Sequence, residues 1–150
     1  MPATPKPGSI VHVEVHSNEP ARTKQFFSEV FGWKFEDVPE MDYTTFQAPS
    51  APHGGLMKPM ENSPPQVLNY ILSANIEETS RRIETAGGAI VVPKTEIPKV
   101  SWFAIFREPG GTVQALYQNA APPRPAPKPK PRKAPARKAP TSRGSRKRKR

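Results

Sequence analysis

The chain carries one pattern twice, about fifty-six residues apart, and this repeat constrains its fold more than any other feature. In the first copy Ile10, His12, Glu14 and His16 alternate with Val11, Val13 and Val15. A period of two is a strand, with valines on one face and polar groups on the other. Asn18, Glu19 and Pro20 then offer a capping side chain, a first-turn carboxylate and a proline where no N–H is needed. Phe26, Phe27, Val30 and Phe31 follow at helical spacing, and Gly32 is placed to close the helix as a left-handed cap. All four large apolar residues, with Trp33 and Trp102, are expected in the core. The valines should pack under this helix. The polar face of the strand either meets solvent or lines a cavity, and His16, at the strand end, is expected to be exposed.

In the second copy Val67–Ser73 is the strand, and Asn75-Ile-Glu-Glu78 is a capping box. Ile76, Thr79, Ile83 and Ala86 form its stripe before Gly87-Gly88. Superposing the copies sets Asn75 on Glu19 and Leu68 on His12. Three strand-like runs follow each helix: Trp33–Val38, Tyr43–Ala48 and His53–Lys58, then Ala89–Lys94, Trp102–Phe106 and Thr112–Gln118. One such unit exposes the back of its sheet, so two side by side form the minimal stable body. The expected fold is α+β: two βαβββ modules, residues 9–60 and 66–119, forming one curved mixed sheet shaped as a cup. Residues 1–8 read as a flexible start, and the proline-rich stretch 50–65 as the module linker with the weakest strand.

The stretch HVEVHSNEPARTKQFFSEVFGWKFE resembles the first module of the vicinal oxygen chelate superfamily, which includes glyoxalase I, bleomycin-resistance proteins and extradiol dioxygenases. IPKVSWFAIFREPGGTVQALYQ resembles the end of its second module. The likeness spans about residues 8–119. It implies the fold, but the superfamily includes lyases, dioxygenases, hydrolases and drug-binding proteins, so it leaves the activity open. Many members hold a divalent metal through four ligands. By this resemblance His12 falls on the first ligand position, while Leu68 and Ala115 stand at two others and His53–Lys58 offers no carboxylate. His53 and Glu14 lie off the family positions. One imidazole does not fix a catalytic divalent ion, so no metal or other cofactor is expected, and a metal-dependent enzyme of the lyase or dioxygenase type is the alternative.

A metal-free cup remains a concave, mixed pocket suited to a small molecule. Alternation gives His12, Glu14, Tyr70, Ala115 and Tyr117 as its lining. His12 and Glu14 are the catalytic candidates if there is an enzyme here, with Glu14 as a general base oriented by the imidazole. Their structural readings are a neutral imidazole hydrogen-bonded inside the cup and a carboxylate that only shapes the pocket. No activated nucleophile is recognisable, and cysteine is absent.

The other prominent feature is residues 120–150. They hold thirteen lysines and arginines, no acidic residue and many prolines, while residues 1–120 sum to −3; together these give the net +10. Such a segment lacks the large apolar residues needed to fold alone, and should be extended, polyproline-like and disordered. Its alternation of Lys/Arg with Pro and Ala resembles linker-histone-like tails. Lys128, Lys130, Arg132, Lys133, Arg137, Lys138, Arg143, Arg146, Lys147, Arg148, Lys149 and Arg150 are the candidate contacts to nucleic acid phosphates, without base readout. The absence of cysteine and of any long apolar run fits a cytoplasmic protein with no membrane partner. Two functions remain open: a small-molecule binder or enzyme with an accessory tail, and a homodimer scaffold for a nucleoid-binding arm.

Overall fold

The computed structural model describes residues 3–120. Segment 121–150, with every expectation placed on the basic arm, lies outside the described residues. The elements in order are β1 (Ile10–His16), α1 (Pro20–Phe31), β2 (Lys34–Val38), β3 (Tyr43–Gln47) and β4 (Gly54–Met57). Then come β5 (Gln66–Leu72), α2 (Ile76–Thr85), β6 (Ala89–Ile97), β7 (Ser101–Arg107) and β8 (Val113–Asn119). They build one curved eight-stranded mixed sheet in the order β2-β3-β4-β1-β5-β8-β7-β6. Each half of that order is one βαβββ module, as the repeat requires. β1 runs parallel to β4, β5 runs parallel to β8, and the modules join where β1 pairs antiparallel with β5.

The repeat extends to individual hydrogen bonds. Ser17 Oγ lies 2.6 Å from Thr23 Oγ1, and Ser73 Oγ lies 2.8 Å from Thr79 Oγ1. The same serines accept the backbone N–H of Glu19 and of Asn75. Each pair ties the end of a central strand to the first turn of the helix that follows it, which fixes the angle at which the chain leaves the sheet.

The two helices dock differently. α2 opens on Asn75, whose Oδ1 accepts the Glu78 N–H at 3.1 Å, as the capping box predicts. Ile76 is fully buried and joins Ala104, Phe106 and Leu116, with Ile71, Ile83, Ile90 and Trp102 around them. α1 departs from expectation at both its start and its packing. Its N-cap is Glu19 and no side chain caps it, because Ser17 rather than Asn18 serves the first turn. None of its residues is buried, and Phe26, Val30 and Phe31 are 54%, 56% and 53% exposed. Only one edge of the stripe reaches the sheet, where Phe27 stacks on Trp33 at 4.5 Å and Trp33 on Phe46 at 4.4 Å. This aromatic stack carries the contact, and Phe26 and Phe31 pack on Phe27 and on each other instead.

The sheet face opposite α2 has its own apolar cluster in the second module. Leu68, Tyr70, Ile105 and Ala115 form it, with Met60, Val92, Phe103, Val113 and Tyr117 packed around them. His12 pairs with Tyr70 and Glu14 with Leu68 across the module junction, so both share this face. Among the described residues no helix is long and apolar enough to cross a membrane.

Candidate functional site

Alternation along β1 places His12, Glu14 and His16 on one face, and four side chains gather around the Glu14 carboxylate. His16 Nε2 reaches Oε1 at 2.7 Å, Tyr70 donates to the same oxygen at 3.0 Å, and Tyr43 donates to Oε2 at 3.1 Å. His12 Nε2 lies 2.8 Å from the Tyr43 hydroxyl, and its ring meets Tyr70 edge-on at 5.2 Å. A glycine makes room for this arrangement. Gly55 pairs with both Glu14 and Thr45, and a Cβ there would collide with the Tyr43 phenol. The bare backbone of β4 lets Tyr43 reach across from β3 to β1.

Glu14 is only 8% exposed. Burial works to raise its pKa, but the hydrogen bond and charge of His16 and the hydroxyls of Tyr70 and Tyr43 outweigh it, holding the carboxyl below its ordinary value. Burial, then the neighbouring Glu14 charge, pushes both phenols well above the usual tyrosine range, so they remain donors. Burial lowers the His12 pKa against a weaker opposing pull from Glu14, which leaves the ring neutral near pH 7. Each tyrosine has one proton to give. Tyr43 gives its proton to Glu14, so its oxygen takes the Nε2–H of His12.

His12, Glu14 and Tyr70 therefore meet in one network. Ala115 pairs with Tyr70 across β5 and β8 but is fully buried, so it backs that ring and offers no surface to a ligand. Tyr117 pairs with Leu72, packs at the margin of the apolar cluster and has no bond to Glu14. His16 corrects the expectation of exposure: it is 2% exposed and donates to Glu14, with its Nδ1 buried and unpartnered. The carboxylate draws it inward. Tyr43 and Gly55 were not among the candidates. Their signals are the Gly54-Gly55 pair and the tyrosine that opens β3, but linking them needs the β3–β4 register.

The side chains present do not fit the divalent metal that the resemblance brings. His12 Nε2 is engaged by Tyr43, Leu68 and Ala115 are sealed in the apolar cluster, and β4 has glycines, leucine and methionine. Among the described residues no three His, Asp or Glu side chains gather around one point. Among the described residues, surface clefts lie beside both helices. One of about 360 Å³ lies against the start of α1, between Pro20, Ala21 and the helix-side residues Asp37, Thr44 and Leu56, and of the network it has only Tyr43 on its walls. The other, about 650 Å³ between Pro7-Gly8 and α2, is larger but contains none of the network residues. Volume alone does not recognise a ligand; convergent polar groups do, and His12, Glu14, His16 and Tyr70 converge on the sheet face away from α1 rather than in either cleft.

Residues 9–116 match the model of the Glyoxalase/Bleomycin resistance protein/Dioxygenase superfamily. The chain belongs to that superfamily. Curated superfamily relatives include "Putative glyoxylase CFP32" of Mycobacterium tuberculosis, 25% identical over 117 residues, which cover 75% of this chain and 45% of that one. The chain thus spans about half the length of that relative. A "Glyoxylase-like domain-containing protein" of Didymella fabae is 25% identical over 118 residues, covering 73% of this chain and 92% of its own. Among solved structures, methylmalonyl-CoA epimerase from Mycobacterium tuberculosis superposes with a TM-score of 0.58 at 16% identity, covering 81% of this chain and 94% of that one. Protein BH1468 from Bacillus halodurans gives 0.59 at 14% identity, covering 78% and 98%. These two likenesses concern the fold alone.

Proposed function

We propose that the superfamily domain, residues 9–119, binds a small organic molecule on the concave face at the Glu14 network, using its own side chains rather than a bound metal. The observation that carries this reading is the convergence of Tyr43, Tyr70 and His16 on one buried, ionised carboxylate, beside the apolar cluster of the second module. Burying a charge is costly, and a sheet that needed only to pack would have an apolar residue there. Such networks hold side chains in fixed orientations, which recognition requires.

A thermal-shift screen of the full chain against a small-molecule library, run in chelator and again in divalent metal, tests this. Binding compounds should raise Tm equally in both conditions. The shift should vanish in His12→Ala and shrink in Tyr70→Phe. Stabilisation seen only with metal would favour a metal-dependent enzyme of the same superfamily. No stabilisation in either condition would favour a scaffold role for the body.

The charge of residues 120–150 supports a second, separate activity: contact with nucleic acid that does not depend on base sequence. Affinity of the full chain for duplex DNA should fall by orders of magnitude between about 50 and 200 mM salt if six or more phosphates are contacted. Deleting Arg143–Arg150 removes six positive charges and should flatten the slope. Binding that ignores salt would contradict this reading.

A further inference from the structure

The ends of the Glu14 network are unequal, and the inequality specifies what the small-molecule site takes. Glu14 itself is enclosed: three donors occupy its two oxygens, and it is nearly inaccessible. It cannot be the group that first meets a ligand. Both phenol protons point at it, and one nitrogen of His16 does too. His16 Nδ1 is sealed from solvent. That leaves His12. Its Nε2–H is committed to Tyr43, whereas its Nδ1 makes no hydrogen bond and is not sealed as His16 Nδ1 is. With the proton fixed on Nε2, Nδ1 offers a bare lone pair.

We propose that His12 Nδ1 is the acceptor that recognises the ligand, that Tyr43 is its positioning residue, and that the site selects uncharged molecules carrying a hydroxyl donor. The inference rests on the small-molecule reading and narrows it. A cation finds no free carboxylate within the network, because Glu14 is saturated. An anion is repelled by the ionised Glu14 beside His12. A neutral hydroxyl satisfies the open Nδ1 lone pair of His12. The role expected for Glu14 thus passes to its neighbour, and Glu14 acts through Tyr43.

The test uses the full chain labelled with ¹⁵N and two probes, phenol and its methyl ether anisole, which differ in the donor. Long-range ¹H–¹⁵N spectra near neutral pH should show His12 only with Nε2 protonated. Tyr43→Phe should release that preference into a mixture of tautomers while the His16 signals stay in place. Phenol should shift the His12 Nδ1 resonance saturably, and anisole should bind roughly five- to tenfold more weakly, the worth of one hydrogen bond. His12→Phe should abolish the difference between the probes. His12 protonated on Nδ1 would overturn the proposal. So would phenol binding no better than anisole, or leaving His12 unmoved. Either result leaves the small-molecule reading to the thermal screen, whose own failure would show as no stabilising compound at all.

Discussion

The two modules share a backbone plan but differ in how they fill it. At the fifty-six-residue offset His12, Glu14 and His16 correspond to Leu68, Tyr70 and Leu72, and Pro20 of α1 corresponds to Ile76 of α2. The second module is apolar on both sheet faces, and its helix buries Ile76 completely. The first has a charged network on one face and a helix with no buried residue on the other. The contrast teaches a division of labour: in a fused pair one copy can supply the cohesion while the other carries costly buried polar groups.

The sharpest way to break that comparison is at the helices. Ile76→Ala should destabilise the protein by about 2–5 kcal/mol in denaturant unfolding, because it opens a cavity in a closed cluster. A loss of only a few tenths would mean that the second module does not hold the core. Glu14→Gln should cost less, about 1–3 kcal/mol, since an amide cannot satisfy all three donors.

Acidification sharpens the same contrast. Folding lowers the pKa of His12 below its ordinary 6.5, so the unfolded chain takes up that proton first and stability falls as pH drops below about 6.5. Glu14 is held below 4.5, so its contribution is present above that value and lost as pH falls through the folded value. Glu14→Gln should remove the second loss and leave the first, as read from unfolding midpoints across pH. The smallest effect belongs to the exposed aromatics. Phe26→Ser and Phe31→Ser should each stay within about 0.5 kcal/mol, as surface changes do. A cost near that of Ile76→Ala would show that α1 is covered in solution.

The sequence states the fold well because its signals are local. Strand alternation, the Asn75 box and the left-handed Gly32 each follow from neighbouring residues, and all were legible. The packing of α1 was not, because a stripe of phenylalanines looks the same whether the sheet or its own rings cover it. On the site, His12, Glu14 and Tyr70 were legible from alternation, since a shared face needs only the period of two. Tyr43 and His16 were not. Tyr43 reaches Glu14 through a register set by Gly55, and His16 is buried by a bond to a residue two positions away. Sequence gives faces; only register gives partners.

The most direct test of the divided modules is to map where a ligand binds. The strongest compound from the metal-free screen, titrated into the isotopically labelled full chain, should shift the signals of His12, Glu14, Tyr43 and Tyr70 together. The apolar strands β6 and β7 should stay unmoved. Shifts confined to the cleft beside α2, with the Glu14 network silent, would contradict the account.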